Sequence, residues 1–420
     1  MPEEPRISSL IYENGSKING PIVNQERILS TFHKMGYKVQ VLCLYHESSP
    51  VTQRLSQTGI QTHSFLSGTD TRTTILWILD KVKRFSPDLF ITDWIAPGWF
   101  ASRWIKAAGI PCIGSLQSDD AFFWSLMKQF VGKHNAPWNI SAVWCLSENL
   151  KHKLKNNFST DGTTTVFIPS GVPKRKVPVN KTHNIKMAYI GRIEIRQKQI
   201  LKTVKAMCNA LKRIDNASVG IFGNGPDEDA VKDLVAAEGC SPKVSFEGAI
   251  PPNQIQKHLE PYNVLVLLSD YEGTPGALLD GMAMGLVPVC LHCPGGIEEV
   301  VIDGETGILV TDRGEGFVSA IERLANDIDL LQNLSKGALA HISSVYTLER
   351  TIERWIRLFE QLLKSSEPKK QLEIPRHIRL PKIDPNMAGF DFRAPTKWDR
   401  FLGQCKVRLG AIKRLVLPKT

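Results

Sequence analysis

Short apolar runs alternate along most of the chain with longer stretches in which apolar and polar residues follow a helical period. The short runs predict β-strands, six in each half of the chain. Those of the first half are RISSLIYE, KVQVLCLY, DLFITDW, PCIGSLQS, AVWCLS and TTVFIPS. Those of the second half are KMAYIGR, SVGIFGNG, VSFEGAI, VLVLLSD, VPVCLH and ILVTD.

Amphipathic helices are predicted between these strands, as in NQERILSTFHKMG, which ends at Gly36 in a C-cap position. Strand–helix alternation of this kind predicts mostly parallel sheets with right-handed crossovers. Residues 169–184 are rich in Pro and Lys and are typical of a linker. We therefore predict an α/β protein with two doubly wound, Rossmann-like domains, residues 1–180 and 181–364, facing each other across a cleft.

Length and composition narrow the class of protein. A chain of 420 residues is too long for one ordinary core, and 42% hydrophobic with 22% charged residues is a globular composition. No apolar run approaches the ~20 residues of a spanning helix, which argues against an integral membrane protein. The first residues, MPEEPRISSL, lack the basic and apolar regions of a secretory signal. Eight sparse cysteines suit a reducing compartment, so we expect a cytoplasmic protein.

Charge is distributed unevenly along the chain. Residues 1–180 have 20 basic and 13 acidic residues, residues 181–364 have 19 and 24, and residues 365–420 have 13 and 5. The last segment ends in WDRFLGQCKVRLGAIKRLVL, which is spaced like a basic amphipathic helix. It predicts peripheral contact with an anionic membrane face, and the alternative is a tail that folds back on the body or remains disordered. No DNA- or RNA-binding module is recognised, so we do not expect a nucleic-acid partner.

The segment SDYEGTPGALLDGMAMGLVP, residues 269–288, has the most informative chemistry. A predicted strand ends at Asp270, and a loop of small residues leads into a helix, so that backbone N–H groups are free for an anion or a sugar hydroxyl. Asp280 follows Glu272 by about two helical turns, and both carboxylates can accept hydrogen bonds from one extended ligand. The alternative is an ordinary N-cap loop. The loop residues are Glu272, Gly273, Thr274, Pro275 and Gly276.

Cations are predicted beside that segment. Arg192 follows Gly191 at a strand end and Lys198 comes six residues later, so both can converge on a diphosphate if a helix opens there. Fixed cations stabilise a departing diphosphate without a metal ion. The alternative is a solvated surface. Gly223 and Gly225 form only a partial dinucleotide fingerprint and predict a tight turn between strand and helix.

The first half offers weaker candidates. Gly20 lies between the first strand and its helix, where a helix N-terminus would face the cleft. Gln117 and Asp119 follow a strand at the edge of the sheet where ligands bind in such folds. Either group is equally consistent with plain loop chemistry. The apolar helix at residues 121–130 is predicted to pack in the core, with an exposed apolar lip beside the cleft as the alternative.

A CxxC pair, Cys290 and Cys293, encloses His292. A structural zinc site needs a second pair of ligands, and none stands out in the sequence. We therefore predict that these cysteines pack in the core and that the protein has no metal site.

In combination, these motifs resemble the retaining GT-B glycosyltransferases of the large family four, the glycosyl transferases group 1. The likeness rests on GR at 191–192 with Lys198, on EGTPGALLD and GLVPV, and on GGIEEVV with DGETGILV, and it extends over about residues 6–364. It implies transfer of a hexose-type sugar from a nucleoside diphosphate sugar, such as a UDP- or GDP-sugar, with retention and without a required metal or other cofactor. Cell-surface polysaccharide or glycolipid synthesis, with a glycan or lipid-linked acceptor, is the implied setting.

The resemblance also implies roles for individual residues. Arg192 and Lys198 would grip the donor diphosphate, and Glu272 would face the transferred hexose. The backbone from Gly273 to Gly276 would cradle hexose and phosphate. Asp280 would hold the ribose, and Gly20 would lie at the phosphates.

Three positions depart from the family pattern. Asp280 stands where the family usually has Glu, Asn19 precedes Gly20 where paired glycines are common, and Gln117 replaces a frequent His. An amide cannot carry a proton as an imidazole can, so Gln117 is interpreted as a positioning group. Two other functions stay open: a nucleotide-sugar epimerase of GT-B shape, which would need an acid–base pair in the cleft, and a non-catalytic nucleotide-binding relative.

Overall fold

The computed structural model describes residues 5–13, 20–45, 49–66, 70–174, 184–293 and 296–390, with side chains as far as residue 387. The amphipathic run predicted at residues 398–417 lies outside the described residues, as do parts of the linker. The domain boundaries predicted at residues 180 and 364 stay predictions.

The first sheet has seven parallel strands in the order β3-β2-β1-β4-β5-β6-β7. Helices connect successive strands and cover both faces, as predicted for a doubly wound domain. The strands are β1 (Arg6–Glu13), β2 (Lys38–Tyr45), β3 (Gln61–Leu66), β4 (Leu89–Asp93), β5 (Cys112–Leu116), β6 (Ala142–Cys145) and β7 (Thr164–Phe167). The helices are α1 (Gly20–Lys34), α2 (Pro50–Gln57), α3 (Thr71–Phe85), α4 (Ala96–Ala107), α5 (Ala121–Phe130) and α6 (Glu148–Asn157).

The second sheet has six parallel strands in the order β10-β9-β8-β11-β12-β13. Its strands are β8 (Ile185–Ile190), β9 (Ala217–Phe222), β10 (Val244–Gly248), β11 (Val264–Leu267), β12 (Val287–Leu291) and β13 (Ile308–Val310). Its helices are α7 (Ile200–Arg213), α8 (Glu228–Ala237), α9 (Ile255–His258), α10 (Gly276–Ala283), α11 (Ile297–Val300), α12 (Glu315–Asn326) and α13 (Ile328–Val345). The prediction of two doubly wound α/β domains is confirmed.

The last helix, α14 (Leu348–Ser365), returns to the first domain. Its apolar face packs in the same core as α1 and the first sheet, and Trp355 lies against Trp144 with ring centroids 5.4 Å apart. The two chain segments that cross between the domains pair with each other, because Val172 N–H donates to the Tyr346 carbonyl and Leu348 N–H donates to the Val172 carbonyl. The chain therefore leaves and re-enters the first domain at one place.

Residues 366–387 continue over the first domain. Leu372, Ile378, Ile383 and Met387 are buried in the core that α3, α4 and α5 form with the sheet. The predicted tail thus begins as a packed segment of the first domain.

The apolar helix predicted at residues 121–130 forms as α5 and packs in the core. Phe123, Leu126, Met127 and Phe130 are buried, and Phe122 packs edge-on against Trp94. The alternative of an exposed apolar lip is therefore wrong. Within the described ranges, no helix combines the length and the apolar character that crossing a bilayer requires.

Candidate active site

The strongest contact between predicted site residues joins Lys198 to Glu272. The Lys198 ammonium donates to Glu272 Oε1, and the two side chains are only 13% and 6% exposed. Gln197 Nε2 lies 3.4 Å from the other carboxylate oxygen and donates to the Tyr271 carbonyl at 2.9 Å. The loop after β8 and the loop after β11 are thus tied together by one carboxylate.

Strand order explains this meeting. β8 and β11 are neighbours in the second sheet, and the order reverses between them. Ligands of doubly wound sheets bind in the crevice at such a reversal, outside the carboxyl ends of the strands. In the first sheet, the reversal lies between β1 and β4. The loops that follow these four strands are therefore the expected walls of a binding crevice.

Arg192 lies at the carboxyl end of β8, and its guanidinium pairs with Glu194 at 2.8 Å. Its side chain is about half exposed, and Tyr189 Oη donates to its carbonyl at 2.7 Å. The loop at Gly223 presses on this turn: a Cβ at Gly223, where φ is +142°, would lie 1.9 Å from the Gly191 carbonyl oxygen. The structure therefore fixes the Arg192 backbone and leaves its side chain half exposed, paired with Glu194.

The loop at residues 273–276 meets the first domain. Thr274 Oγ1 donates to the Leu146 carbonyl at 3.1 Å, and a Cβ at Gly273 would lie 2.6 Å from the Gln117 carbonyl oxygen. Only glycine permits that approach. Pro275 is the N-cap of α10, which begins at Gly276. The carboxyl edges of the two sheets thus face each other here.

Asp280 is buried in α10 and pairs with Arg27 of α1, whose Nη2 lies 3.1 Å from each carboxylate oxygen. Gln256 Nε2 is 3.4 Å from Oδ1. Burial raises the pKa of Asp280 above its ordinary value, while Arg27 and Gln256 act in the opposite direction. A first-domain cation therefore reaches the acid predicted to hold the ribose.

Asp93 anchors a polar cluster at the edge of the first sheet. It ends β4 with φ +53°, and its Oδ1 accepts hydrogen bonds from Ser115 Oγ at 2.7 Å and from Gln117 Nε2 at 2.5 Å. Burial raises the pKa of Asp93 to about 7 despite these hydrogen bonds. Gln117 is buried as well: Asp93 and Ser115 hold its side-chain amide, while its backbone carbonyl lies beside Gly273.

Two predicted site residues lie apart from these contacts. Asp119 binds Lys153 at 2.6 Å and accepts from Trp124 Nε1 at 2.7 Å, so both of its oxygens are engaged within the first domain. Gly20 is exposed as the first residue of α1, seven positions before Arg27. Among the described residues, neither forms a hydrogen bond or an ion pair with the second domain.

Comparison with known proteins shows which family the second domain resembles. The family described as Glycosyl transferases group 1 matches residues 184–327, which hold Lys198, Glu272 and Asp280. Most of the second domain is therefore similar to the group 1 glycosyl transferases.

Two curated relatives resemble this chain over about half of its length. An exopolysaccharide phosphotransferase of Streptomyces coelicolor is 26% identical over 56% of this chain and 25% of its own length. An uncharacterized glycosyltransferase of Haemophilus influenzae is 27% identical over 54% of this chain and 63% of its own length. The match thus spans less than two thirds of either relative.

A solved structure extends the likeness to both domains. The Anabaena protein HepE, in complex with UDP and glucose, superposes with a TM-score of 0.68 over 85% of this chain and 100% of its own, at 16% identity. The fold is therefore that of the GT-B glycosyltransferases, as predicted.

In the second domain, Cys290 and Cys293 are buried in the apolar core between α10 and the sheet. Burial raises the pKa of Cys293 to about 11. Among the described residues, no group of three or more His, Cys, Asp or Glu side chains is placed to hold a metal ion.

Sequence reasoning missed three polar residues at this site. Asp93 has a signal of the kind used for Gln117, since it is an acid at the carboxyl end of a strand, but it was not singled out. Gln197 lies in the sequence between Arg192 and Lys198, the two predicted cations, and has no charge of its own to mark it. Arg27 gives no local signal, because the contact joins positions 253 residues apart.

Proposed function

We propose that this chain is a hexosyltransferase that moves a sugar from a nucleoside diphosphate sugar to an acceptor with retention of configuration and without a metal ion. The observation that carries the proposal is the buried Lys198–Glu272 pair at the strand-order reversal of the second domain. The crystal complex of HepE with UDP and glucose supports a donor of this class. The relatives' names favour cell-surface polysaccharide or glycolipid synthesis as the setting.

The second domain would bind the donor. Lys198 would stabilise the charge that gathers on the departing diphosphate, and Glu272 would hold Lys198 in place and face the hexose. The backbone from Gly273 to Gly276 opens α10 and would offer N–H groups to phosphate and hexose. Asp280 would accept hydrogen bonds from the ribose hydroxyls.

Arg192 would have to leave Glu194 to join the diphosphate. The pair is half exposed on the arginine side, so breaking it costs at most about 1 kcal/mol. Gly20 would present the N-terminus of α1 to the phosphates from the opposite wall. Both assignments add cationic or dipolar charge to the crevice that Lys198 already lines.

On the acceptor side, we propose that Gln117 positions the incoming hydroxyl. Its Nε2 donates to Asp93 and Ser115, which fixes the position of the side-chain amide oxygen. Its backbone carbonyl lies beside Gly273. The leaving phosphate would take the acceptor proton as the new glycosidic bond forms on the same face of the sugar. Asp119 is already bound to Lys153 and Trp124, which leaves Gln117 as the acceptor-side residue of the proposal.

The central test screens UDP-, GDP-, ADP- and CDP-linked hexoses for thermal stabilisation, because a ligand that binds only the native state raises Tm. The donor that binds is then incubated with glycan and lipid-linked acceptors, with and without EDTA, and the product anomer is read by NMR. Glu272→Gln should abolish transfer. Lys205→Ala is the control and should leave transfer unchanged, because Lys205 is an α7 residue that pairs with Glu238. An epimerised donor formed without acceptor would contradict the proposal.

We also propose peripheral contact of the basic tail with an anionic membrane face, where each basic residue near the surface contributes about 1 kcal/mol. The test compares binding of the full chain and of a chain ending at residue 390 to neutral vesicles and to vesicles with anionic lipid. Ending the chain there keeps the buried residues Leu372 and Met387. Equal binding of the full chain to both vesicles would contradict this part.

A further inference from the structure

The ion pair between Arg27 and Asp280 crosses the cleft. Arg27 lies in α1 of the first domain and Asp280 in α10 of the second, and their side chains are 15% and 9% exposed. The same Nη2 atom is 3.1 Å from both carboxylate oxygens. The surroundings of Asp280 are otherwise poor in charge, which makes this cation important for it.

The other elements around α10 contribute apolar or neutral groups. α13, β11 and β12 pack against it through apolar side chains, and α9 contributes the amide of Gln256. Among the described residues, Arg27 is the charged group that acts on the Asp280 carboxyl. Without it, burial would favour the protonated acid, because a charge is costly to hold away from water.

The protonation state of Asp280 matters for ribose. A carboxylate only accepts hydrogen bonds and can receive both hydroxyls of a vicinal diol, whereas a protonated acid has become a donor itself. Hydrogen bonds to a charged group are also about twice as strong as neutral ones. A carboxylate offers about four acceptor positions, so the contacts with Arg27 and Gln256 leave room for a ligand.

We propose that Arg27 is a positioning residue of the donor site, which holds Asp280 ionised and oriented for two ribose hydroxyls. The first domain then takes part in nucleoside recognition, although the nucleotide binds to the second. This inference rests on the proposed function, in which Asp280 holds the ribose.

The contact between Arg27 and Asp280 couples donor binding to closure of the two domains. If the cleft opens, Arg27 leaves Asp280, and the carboxyl loses the counter-charge that keeps it an acceptor. Ribose affinity is therefore higher in the closed arrangement, and by reciprocity a bound nucleotide favours closure. A merely structural tie between the domains would not discriminate between nucleotides with and without ribose hydroxyls.

The experiment uses the full chain and titration calorimetry. UDP, GDP, ADP and CDP are compared first, and the tightest binder is then compared with its 2′,3′-dideoxy analogue at pH 6.0 and 8.5. The measured quantity is the ratio of the two Kd values in the native protein and in Arg27→Met, Arg27→Lys and Arg54→Met. Arg54→Met is the matched control. Arg54 belongs to α2, and it pairs with Glu26, the α1 residue next to Arg27, without contacting Asp280.

We expect a native ratio of about tenfold or more at both pH values, on the scale of a lost hydrogen bond to a charged group. In Arg27→Met, the ratio should fall below about threefold at pH 6.0 and recover partly at pH 8.5, because burial raises the pKa of Asp280 and the variant lacks the cation that opposes this shift. Arg27→Lys should restore most of the ratio, and Arg54→Met should match the native protein.

The outcomes separate this inference from the proposed function. A native-like ratio in Arg27→Met at both pH values overturns the role of Arg27 and leaves Asp280 at the ribose. Equal weakening of both ligands also overturns it, since that is the signature of a structural tie. A native protein that does not distinguish the two ligands overturns the ribose assignment itself. Arg27→Gln, which removes the charge but keeps hydrogen-bond donors, replaces Arg27→Met if circular dichroism shows that variant to be misfolded.

Discussion

Lys198 and Glu272 lie 74 positions apart in sequence and form a nearly buried ion pair. The pair exists because β8 and β11 are neighbours whose loops meet at the same edge of the sheet. Each partner compensates the other's charge in a site that excludes most water. A substitution at either position therefore changes the site's chemistry and its stability together.

Lys198→Ala should lower kcat by about 100-fold or more at saturating donor, because it removes a cation placed to stabilise leaving-group charge. Lys198→Arg should retain part of the rate, since it keeps the charge but not the shape of the ammonium. Steady-state kinetics with the donor found in the screen measures both variants. A Lys198→Ala enzyme with native kcat would remove this lysine from the reaction.

Asp280→Ala should raise the donor KM about tenfold or more and leave kcat nearly unchanged, because ribose contacts are equally strong in the ground and transition states. Initial rates over a range of donor concentrations separate the two constants. Asp229→Ala, at an exposed position of α8, is the control and should leave both constants native. A lower kcat with native KM would instead place Asp280 at the reacting atoms.

Asp93 should make the free energy of unfolding depend on pH. Burial raises the pKa of Asp93 from 3.8 to about 7, so between these values the folded protein keeps a proton that the unfolded chain has released. Stability contributed at this residue is therefore present at low pH, falls as pH rises towards 7 and is constant above it. The total change is on the order of 4 kcal/mol.

Asp93→Asn cannot titrate, so the variant should lose that decline. Urea unfolding at pH 5 and pH 8 measures the effect, which should favour the variant more at pH 8 than at pH 5. Asp161→Asn, at an exposed first-domain position, should show the native pH dependence. An identical pH dependence in native protein and Asp93→Asn would mean that the Asp93 carboxyl has an ordinary pKa.

Trp355→Ala should destabilise the first domain by about 3–5 kcal/mol, because it empties a large buried site between Trp144 and Phe359. Trp355→Phe should cost less, since most of the ring volume stays. Arg357→Ala, on the exposed side of α14, should change stability by less than about 0.5 kcal/mol. Chemical denaturation followed by tryptophan fluorescence and circular dichroism compares the three variants.

The alternation of strands and helices was sufficient to predict the architecture, because strands buried on both faces of a parallel sheet form continuous apolar runs. All twelve predicted strands form. The structure has one further strand that the sequence did not predict. It is β3, with the sequence QTHSFL, and it lies at the edge of the first sheet, where its residues are half-buried or exposed. An edge strand of this kind lacks the apolar run by which the others were recognised.

The contacts of the second-domain residues have a clearer signal in the sequence than those of the first domain. Glu272 and Asp280 belong to one short segment in which spacing along the loop and helix limits their mutual positions. Lys198 follows a strand that the α/β pattern places beside that segment, at the same edge of the sheet. The contacts of Arg27 and of Asp93 depend instead on how two domains dock and on a left-handed residue at a strand end. The amphipathic pattern of α14 does not show that this helix returns to the first domain, because a helix with one apolar face can cover either core.

The paired crossings at Val172 and Leu348 have a consequence for biosynthesis. The ribosome delivers residues 184–345 before it delivers α14 and residues 366–387, which complete the cores of the first domain. Domains usually mature in the order of synthesis, from the N-terminus onwards. Here we expect the reverse: the later domain can close its core while the earlier one still lacks α14, so the first-domain surface around Trp144 that α14 covers stays exposed until the chain extends beyond residue 348.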